Sequence, residues 1–269
     1  MISKITGGQT KALFIVKVLG KYEVQYYQCV QTGFIQTEEP YWLEEAYSSA
    51  ITKLDIGLPY RNELLRDKLV KILPKYFNVD AKFLDYAGGY GLFTRLMRDK
   101  GFDFYHTDVY CKNLFAEYFD LNDTPQNTKF ELATAFEVFE HLANPIAEIE
   151  AILKHSDSIL FSTELVPKTP LNSVNDWWYF IPETGQHIAI YTEKSLAYIA
   201  QKFGYNFYTD GINMHFFTRK NLLNNPFKVL REPFFIRKIR KVLTKFDNKT
   251  VKKSLLQSDW EMIKNKLIE

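Results

Sequence analysis

Apolar and polar residues are arranged along this chain so that helical and strand patterns alternate. Apolar residues recur at helical spacing over residues 61–77, and a short apolar run at 81–84 follows with strand character. An amphipathic stretch at 92–100 predicts the next helix. Further strands are predicted at 102–108, 130–136, 158–164, 206–209 and 214–218. Further helices are predicted at 113–119, 144–154 and 193–203. In the N-terminal region, weak alternation at 22–27 predicts a short strand, and Pro40 with the acidic residues after it predicts a helix within 37–50.

This order predicts the α/β class. Strands that alternate with helices of about ten residues form a parallel sheet with helices on both faces. The last two strands have only a short connection across Gly211, so we expect them to pair as an antiparallel hairpin at one edge. Three regions result: a mixed N-terminal cap at 1–60, a main domain at 61–218 and a basic helical extension at 219–269.

Composition excludes several classes of protein. Apolar residues make up 46% of the 269 residues, which allows a sizeable core, and no apolar run approaches the ~20 residues that span a bilayer. Lys17 interrupts the apolar start, so we do not expect a signal peptide. Two distant cysteines, Cys29 and Cys111, exclude a disulfide framework and favour a reducing cytoplasm. Cys29 lies in half of a metal-knuckle pattern without its partner, so a buried thiol is favoured and no metal is expected.

Charge is distributed unevenly. Residues 218–269 contain 14 lysines and arginines against 5 acidic residues, whereas the rest of the chain contains 20 against 27. An amphipathic helix within residues 228–253 could contact an anionic membrane surface or a partner. A solvated helical face, or a helix packed on its own domain, is the more frequent case.

The first candidate for chemistry is the strand–loop–helix at residues 83–100. Asp85 is followed by a turn that contains Gly88, Gly89 and Gly91. Glycines let a backbone approach a ligand closely, and the helix start presents free N–H groups to an anionic group. The spacing differs from the dinucleotide pattern G-x-G-x-x-G, so an ordinary turn and a nucleotide-like cofactor loop stay open at this point.

Two further groups of residues follow later strands. Asp108 ends the second strand, where an acid in a doubly wound sheet binds ribose hydroxyls. Glu137, Glu140 and His141 end the otherwise apolar third strand. Charges there are costly unless they meet a ligand or one another, so a ligand site and a structural carboxylate–histidine pair are the two interpretations.

Together, residues 85–91, Asp108 and residues 137–145 resemble the class I S-adenosylmethionine-dependent methyltransferases. The resemblance covers about residues 64–218 and is greatest to a bacterial branch that accompanies polysaccharide and sugar-modifying genes. It implies a Rossmann-like, doubly wound, mostly parallel seven-stranded sheet with an antiparallel edge hairpin, flanked by N-terminal and C-terminal helical extensions. Ala87 departs from the family pattern, which has glycine there.

The resemblance also implies which residues bind S-adenosylmethionine. The loop would hold the methionine part, Asp108 the ribose, and Arg61 the carboxylate, although a surface arginine is the more frequent case. The implied cofactor residues are Arg61, Asp85, Tyr86, Ala87, Gly88, Gly89, Gly91, Asp108, Val109, Tyr110, Phe136 and Glu137.

The acceptor side is predicted from the segment after the strand at 158–164. Trp177, Trp178 and Tyr179, with Tyr47 from the N-terminal region, suit an apolar or sugar-like acceptor, and a satellite core is the equal alternative. A histidine can remove a proton near neutral pH, so His141 or His187, beside Glu140, is the candidate general base.

The hypothesis is therefore O-methylation of a small, sugar-linked hydroxyl. The alternatives are N- or C-methylation of a nucleotide-sugar or another small molecule, and a cofactor-binding module without turnover. Nucleic-acid methylation is disfavoured because the sequence has no Asn/Asp-Pro-Pro-Tyr motif.

Overall fold

A computed structural model describes residues 1–48, 51–231 and 252–267 of the chain, and it contains two β-sheets. The smaller sheet is antiparallel and is formed by β1 (Thr10–Val18), β2 (Tyr22–Cys29), β3 (Ile35–Thr37) and β8 (Ala189–Ile190). The central sheet is formed by β4 (Lys82–Tyr86), β5 (Asp103–Thr107), β6 (Leu132–Phe136), β7 (Ser158–Ser162), β9 (Asn206–Thr209) and β10 (Met214–Thr218).

The described residues form six α-helices. They are α1 (Leu43–Ala46), α2 (Leu58–Tyr76), α3 (Leu92–Arg98), α4 (Pro145–Leu153), α5 (Glu193–Phe203) and α6 (Leu256–Lys266). The boundaries of α5 follow from the sequence, because the Thr192 side chain accepts a hydrogen bond from Ser195 N and Gly204 ends the helix in the left-handed conformation.

The predicted α/β architecture is confirmed. The central sheet has the order β5-β4-β6-β7-β10-β9, in which β5, β4, β6 and β7 are parallel. β10 pairs antiparallel with both β7 and β9, as the short connection across Gly211 predicts. Within the described residues this sheet has six strands and not seven. The segment between β7 and α5 contributes only the two-residue β8, and that strand pairs with β3 of the smaller sheet.

The N-terminal extension is a β-sheet and not a helical region, which corrects the expectation. The strand predicted at 22–27 forms as β2, and β1 pairs with it along its length. The helix predicted after Pro40 is reduced to the four residues of α1. Trp42 and Tyr26 are buried in the core of this sheet, so burial of aromatic side chains stabilises the extension.

The helix predicted at 113–119 does not form. The Asn113 side chain accepts a hydrogen bond from Ala116 N at 2.9 Å and donates one to Ala116 O at 2.7 Å. Tyr118 has a left-handed backbone with φ of 69°. Side-chain bonding of this kind competes with helical hydrogen bonds, so the segment is a turn.

Cys29 is a buried thiol, which is the favoured interpretation of its sequence context. Its Sγ lies 3.5 Å from Thr6 Oγ1. Burial alone would raise the pKa of Cys29. Hydrogen bonds from the hydroxyls of Ser3, Thr32 and Thr6 outweigh that effect and lower the pKa from 9.0 to about 6. Hydroxyl side chains thus surround the Cys29 thiol.

The C-terminal helix α6 packs against α3 through buried charges. Asp259 accepts two hydrogen bonds from the Arg98 guanidinium, at 2.9 and 2.8 Å, and both side chains are almost fully buried. The amphipathic helix expected within 228–253 falls mostly outside the described residues, which end at 231 and resume at 252. No helix within the described ranges is long and apolar enough to cross a membrane.

Candidate active site

A cavity of about 610 Å³ opens at the carboxyl ends of the central strands. The chain leaves β4 to form β5 on one side and then crosses to form β6 on the other, so β4 and β6 flank the point where strand order reverses. Ligands of open α/β sheets bind in the crevice at such a point. The cavity is lined by the turns that follow both of these strands.

The glycine loop after β4 lies in this cavity and has an unusual backbone. Ala87 has φ of 53° and Gly89 has φ of 59°, while Gly91 has φ of 81° and precedes the first turn of α3. The left-handed region costs a non-glycine residue roughly 1–2 kcal/mol. Ala87 therefore stores strain at the position where the sequence departs from the family pattern, and strain of this kind concentrates at functional sites.

The buried side chain of Asp85 supports the glycine loop. Its carboxylate accepts hydrogen bonds from Thr134 Oγ1 at 2.9 Å and Thr94 Oγ1 at 3.1 Å, which connects β4 to β6 and α3. Burial raises the pKa of Asp85 to about 6. A Cβ on Gly88 would lie 2.4 Å from Asp85 Oδ2, so the loop requires glycine there.

Asp108 follows β5 and fixes the other side of the loop. Its Oδ2 accepts a hydrogen bond from Gly89 N at 2.9 Å, and its Oδ1 accepts from Tyr110 N and Cys111 N at 2.7 and 2.8 Å. A carboxylate has about four lone-pair sites, two on each oxygen, so Oδ2 can accept a further hydrogen bond from a ligand whereas Oδ1 is fully used. Val109 and Tyr110 beside it are exposed and line the cavity.

Arg61 lies at the cavity in a bidentate ion pair. Its two Nη atoms donate to Asp55 at 2.9 and 2.8 Å, and both residues line the cavity. A guanidinium has five N–H donors, so the pair leaves donors for an anionic ligand group.

Glu137 follows β6 and is the second strained residue of the cavity, with φ of 54°. Its backbone N–H donates to Ser162 Oγ at 2.9 Å, and the Ser162 hydroxyl donates back to the carboxylate at 2.5 Å. Burial, followed by the charge of Glu140, raises the pKa of Glu137 to about 7. Three left-handed non-glycine residues, Ala87, Glu137 and Ile181, thus line the same cavity.

Glu140, His141 and His187 come together in the same cavity, although His187 is distant in sequence. The rings of His141 and His187 are perpendicular, with centroids 5.0 Å apart. Each histidine Nδ1 bonds to a carbonyl oxygen: that of Gln186 for His141 at 3.0 Å, and that of Tyr179 for His187 at 2.6 Å. A carbonyl only accepts, so each Nδ1 carries the proton and each Nε2 is a free acceptor when the ring is neutral. Burial lowers the pKa of both histidines, that of His187 to about 3.

The predicted acceptor residues divide between the cavity and the core. Trp178 lines the cavity and is 67% exposed, and Tyr47 stacks on Tyr110 with ring centroids 4.8 Å apart. Tyr179 is buried at the cavity wall, where its hydroxyl donates to Glu140 at 2.6 Å. Trp177 does not line the cavity. A turn of 3-10 helix (Trp178–Phe180) directs it against Tyr179 and Phe180 in the core of the smaller sheet.

Most of the predicted cofactor residues share this cavity. Those that line it are Arg61, Asp85, Tyr86, Ala87, Gly88, Gly89, Asp108, Val109, Tyr110, Phe136 and Glu137. Gly91 does not line it and instead forms the N-cap of α3. Sequence reasoning missed Asp55, Thr94, Thr134 and Ser162, which hold the site residues in place. Of these four residues only Asp55 could have been suspected from local sequence, because it is an acid six residues before Arg61.

Comparisons with known proteins place the chain in a family. The family profile described as a methyltransferase domain matches residues 58–209, more than half of the chain. No curated protein sequence matches.

Solved structures with similar folds include methyltransferases. One is the plantazolicin methyltransferase BpumL, with 12% identity, a TM-score of 0.46 and coverage of 74% of this chain and 87% of that one. The mitomycin 7-O-methyltransferase MmcR has 13% identity and a TM-score of 0.39, with 58% of this chain and 54% of that one covered. An O-methyltransferase family protein from Burkholderia thailandensis has 10% identity and a TM-score of 0.44, with 62% and 58% covered. This chain thus spans little more than half the length of the latter two proteins. On the match to residues 58–209, the chain belongs to the methyltransferase domain family.

Proposed function

We propose that this protein is an S-adenosylmethionine-dependent O-methyltransferase that acts on a hydroxyl group of a small, sugar-like molecule. One observation carries the proposal. The glycine loop with Asp108 and the group formed by Glu140, His141 and His187 line the same cavity. A methyl donor and a hydroxyl acceptor can therefore meet within one enclosed space.

The residues on the donor side fit S-adenosylmethionine. Among the described residues, a Cβ on Gly89 would meet only Ile51 Cδ1, at 3.5 Å, so on their side the loop backbone is open toward a ligand. Asp108 Oδ2 can accept a hydrogen bond from a ribose hydroxyl, and Arg61 keeps N–H donors for the methionine carboxylate. When bound, the cofactor supplies an electrophilic methyl group on a sulfonium sulfur.

Methyl transfer forms a C–O bond, breaks the C–S bond and releases the proton of the acceptor hydroxyl. The protein binds and orients the acceptor, and it supplies the atoms that accept the proton of the acceptor hydroxyl. The Nε2 atoms of His141 and His187 have lone pairs that no described residue uses. One ring nitrogen of each histidine lies within 4.8 Å of a Glu140 carboxylate oxygen. These three side chains form the proposed acceptor site.

Aromatic side chains support the choice of a sugar-like acceptor. Trp178 presents an exposed ring at the cavity, and Tyr47 lies within ring-contact distance of His141, with centroids 6.3 Å apart. Aromatic rings offer apolar faces to sugar rings and to other small molecules. The two free cysteines support a cytoplasmic location for the reaction.

Labelled methyl transfer tests the proposal. The full-length protein is incubated with methyl-labelled S-adenosylmethionine and a panel of sugars, nucleotide-sugars and glycosylated phenols. We expect labelled O-methyl product, lost in His141→Ala and His187→Ala while both variants still bind the cofactor. His155 does not line the cavity, so His155→Ala serves as the matched control and should keep its turnover.

Three other outcomes of this experiment would each refute one part of the proposal. Full turnover in both histidine variants would refute the assigned acceptor site. An N- or C-methylated product would refute O-methylation. Cofactor binding without product on a panel that includes the physiological acceptor would identify a module without turnover.

A further inference from the structure

Three side chains in the cavity carry atoms that can bind a metal ion. A ring nitrogen of His141, a ring nitrogen of His187 and a carboxylate oxygen of Glu140 all lie within 4.8 Å of one another. Ligand atoms around a tetrahedral ion at about 2.0–2.2 Å are roughly 3.3–3.6 Å apart. Small side-chain rotations would therefore bring the three atoms to coordination distance.

The hydrogen bonds of the two histidines orient them as metal ligands. Each Nδ1–H donates to a backbone carbonyl, that of Gln186 or Tyr179, and this leaves the Nε2 lone pair of each ring without a donor among the described residues. Histidines that bind metals almost always donate the other ring N–H to a carbonyl or carboxylate, which fixes the tautomer and the ring orientation.

Glu140 provides an independent observation. Its side chain has no exposed surface, and Tyr179 OH donates to Oε1 at 2.6 Å. Within the part of the chain that the structure describes, Oε2 has no hydrogen-bond partner. A buried polar atom of this kind is costly unless a ligand or ion satisfies it. A cation held between Oε2 and the two Nε2 atoms would do so.

We propose that Glu140, His141 and His187 bind one divalent transition-metal ion in the acceptor part of the cavity. Two imidazoles and one carboxylate favour ions such as Zn²⁺, Co²⁺ or Fe²⁺ over Mg²⁺ or Ca²⁺, which prefer oxygen ligands. Glu137 adds a second acid near the site, and Asp55 balances the charge of Arg61.

Three protein ligands leave a coordination position for another molecule, as in catalytic zinc sites. A bound ion would hold the oxygen of the acceptor hydroxyl and favour loss of its proton. In that state the three side chains act as ligands, and the proton leaves to solvent. This consequence rests on the proposed function, whereas binding of the metal does not.

Metal titration of the full-length protein tests the inference without any methyl donor. Chelator-treated protein is titrated with Co²⁺ by visible absorption and with Zn²⁺ by calorimetry. We expect one ion per chain and the visible bands of Co²⁺ in a nitrogen–oxygen site. Loss of a residue that hydrogen-bonds to a metal ligand lowers metal affinity by up to about 100-fold. Loss of a direct ligand should cost at least as much, so Glu140→Gln and His187→Ala should each weaken metal binding by about 100-fold or more. His155→Ala should bind the ion like the wild type.

Thermal unfolding of each variant shows whether it is still folded, and Glu140→Gln keeps the size and shape of the side chain. Weaker metal binding by a folded variant therefore reports loss of the site and not loss of the fold. No bands and no heat at millimolar metal would overturn the inference, as would unchanged affinity in Glu140→Gln and His187→Ala. A protein that binds S-adenosylmethionine but no metal would refute the metal site alone. A protein that binds metal but no S-adenosylmethionine would refute the proposed function alone.

Discussion

Substitution of Gly88 by alanine tests how the cofactor loop is built. An added Cβ would lie 2.4 Å from Asp85 Oδ2 and 2.9 Å from His106 Cδ2, about 1 Å inside ordinary contact distance. The carboxylate cannot easily move away, because Thr94 and Thr134 hold both of its oxygens and the residue is buried.

The magnitude follows from these contacts. Overpacking of this kind costs about 1–3 kcal/mol, and loss of one hydroxyl–carboxylate bond adds about 1 kcal/mol. We expect Gly88→Ala to lower the free energy of unfolding by about 3 kcal/mol. For a domain of this size that corresponds to a fall in Tm of roughly 6–12 °C.

Gly89→Ala is the matched control. Among the described residues its Cβ would meet only Ile51 Cδ1, at 3.5 Å, so we expect its cost to be that of the left-handed backbone, roughly 1–2 kcal/mol. Urea unfolding and calorimetry with S-adenosylhomocysteine measure stability and binding for both variants. The reasoning would be refuted if Gly88→Ala were as stable as the wild type, or if Gly89→Ala lost more stability than Gly88→Ala.

Three further predictions concern stability. Asp259→Ala should lower the free energy of unfolding, measured in urea, by roughly 3 kcal/mol, because Arg98 loses a buried partner. The exposed control Glu261→Ala should change this free energy little, and equal stability of the two variants would contradict the prediction. Burial lowers the pKa of His215 to about 4 from 6.5, so the unfolded chain takes up the proton first as pH falls. The free energy of unfolding should therefore fall by about 3 kcal/mol as the pH is lowered from 6.5 to 4. In His215→Gln, measured over the same pH range, the fall should be smaller by this amount. Ala87→Gly should raise Tm, because glycine removes the left-handed strain at φ of 53°; a lower Tm would refute the strain argument.

Local patterns were sufficient to predict most of the central sheet. The apolar run before Asp85, the glycine turn and the amphipathic stretch after it correspond to β4, the loop and α3. The smaller sheet could not be predicted in full. β8 forms by pairing with β3, which is distant in sequence. β1 pairs with the neighbouring β2, but a register shift between Ala12 and Ile15 interrupts its regular alternation. The turn at 113–119 was missed because a side-chain hydrogen bond of Asn113 overrides helical spacing there.

The site was predictable where residues follow strands directly, as Asp85, Asp108 and Glu137 do. The residues that hold them come from other elements: Thr134 and Ser162 face inward from neighbouring strands, and their role depends on sheet order. The two adjacent tryptophans illustrate another limit. A single turn directs Trp178 to the cavity and Trp177 to the core, and sequence alone does not distinguish them.

Calorimetric titration with S-adenosylmethionine and S-adenosylhomocysteine tests the central claim most directly. We predict that the wild-type protein binds one molecule of either ligand per chain. Asp108→Ala should bind each about 10- to 100-fold more weakly, because it loses a hydrogen-bonding charge worth about 1.5–3 kcal/mol. Absence of binding of both ligands to the folded wild-type protein, or unchanged affinity in Asp108→Ala, would contradict the account.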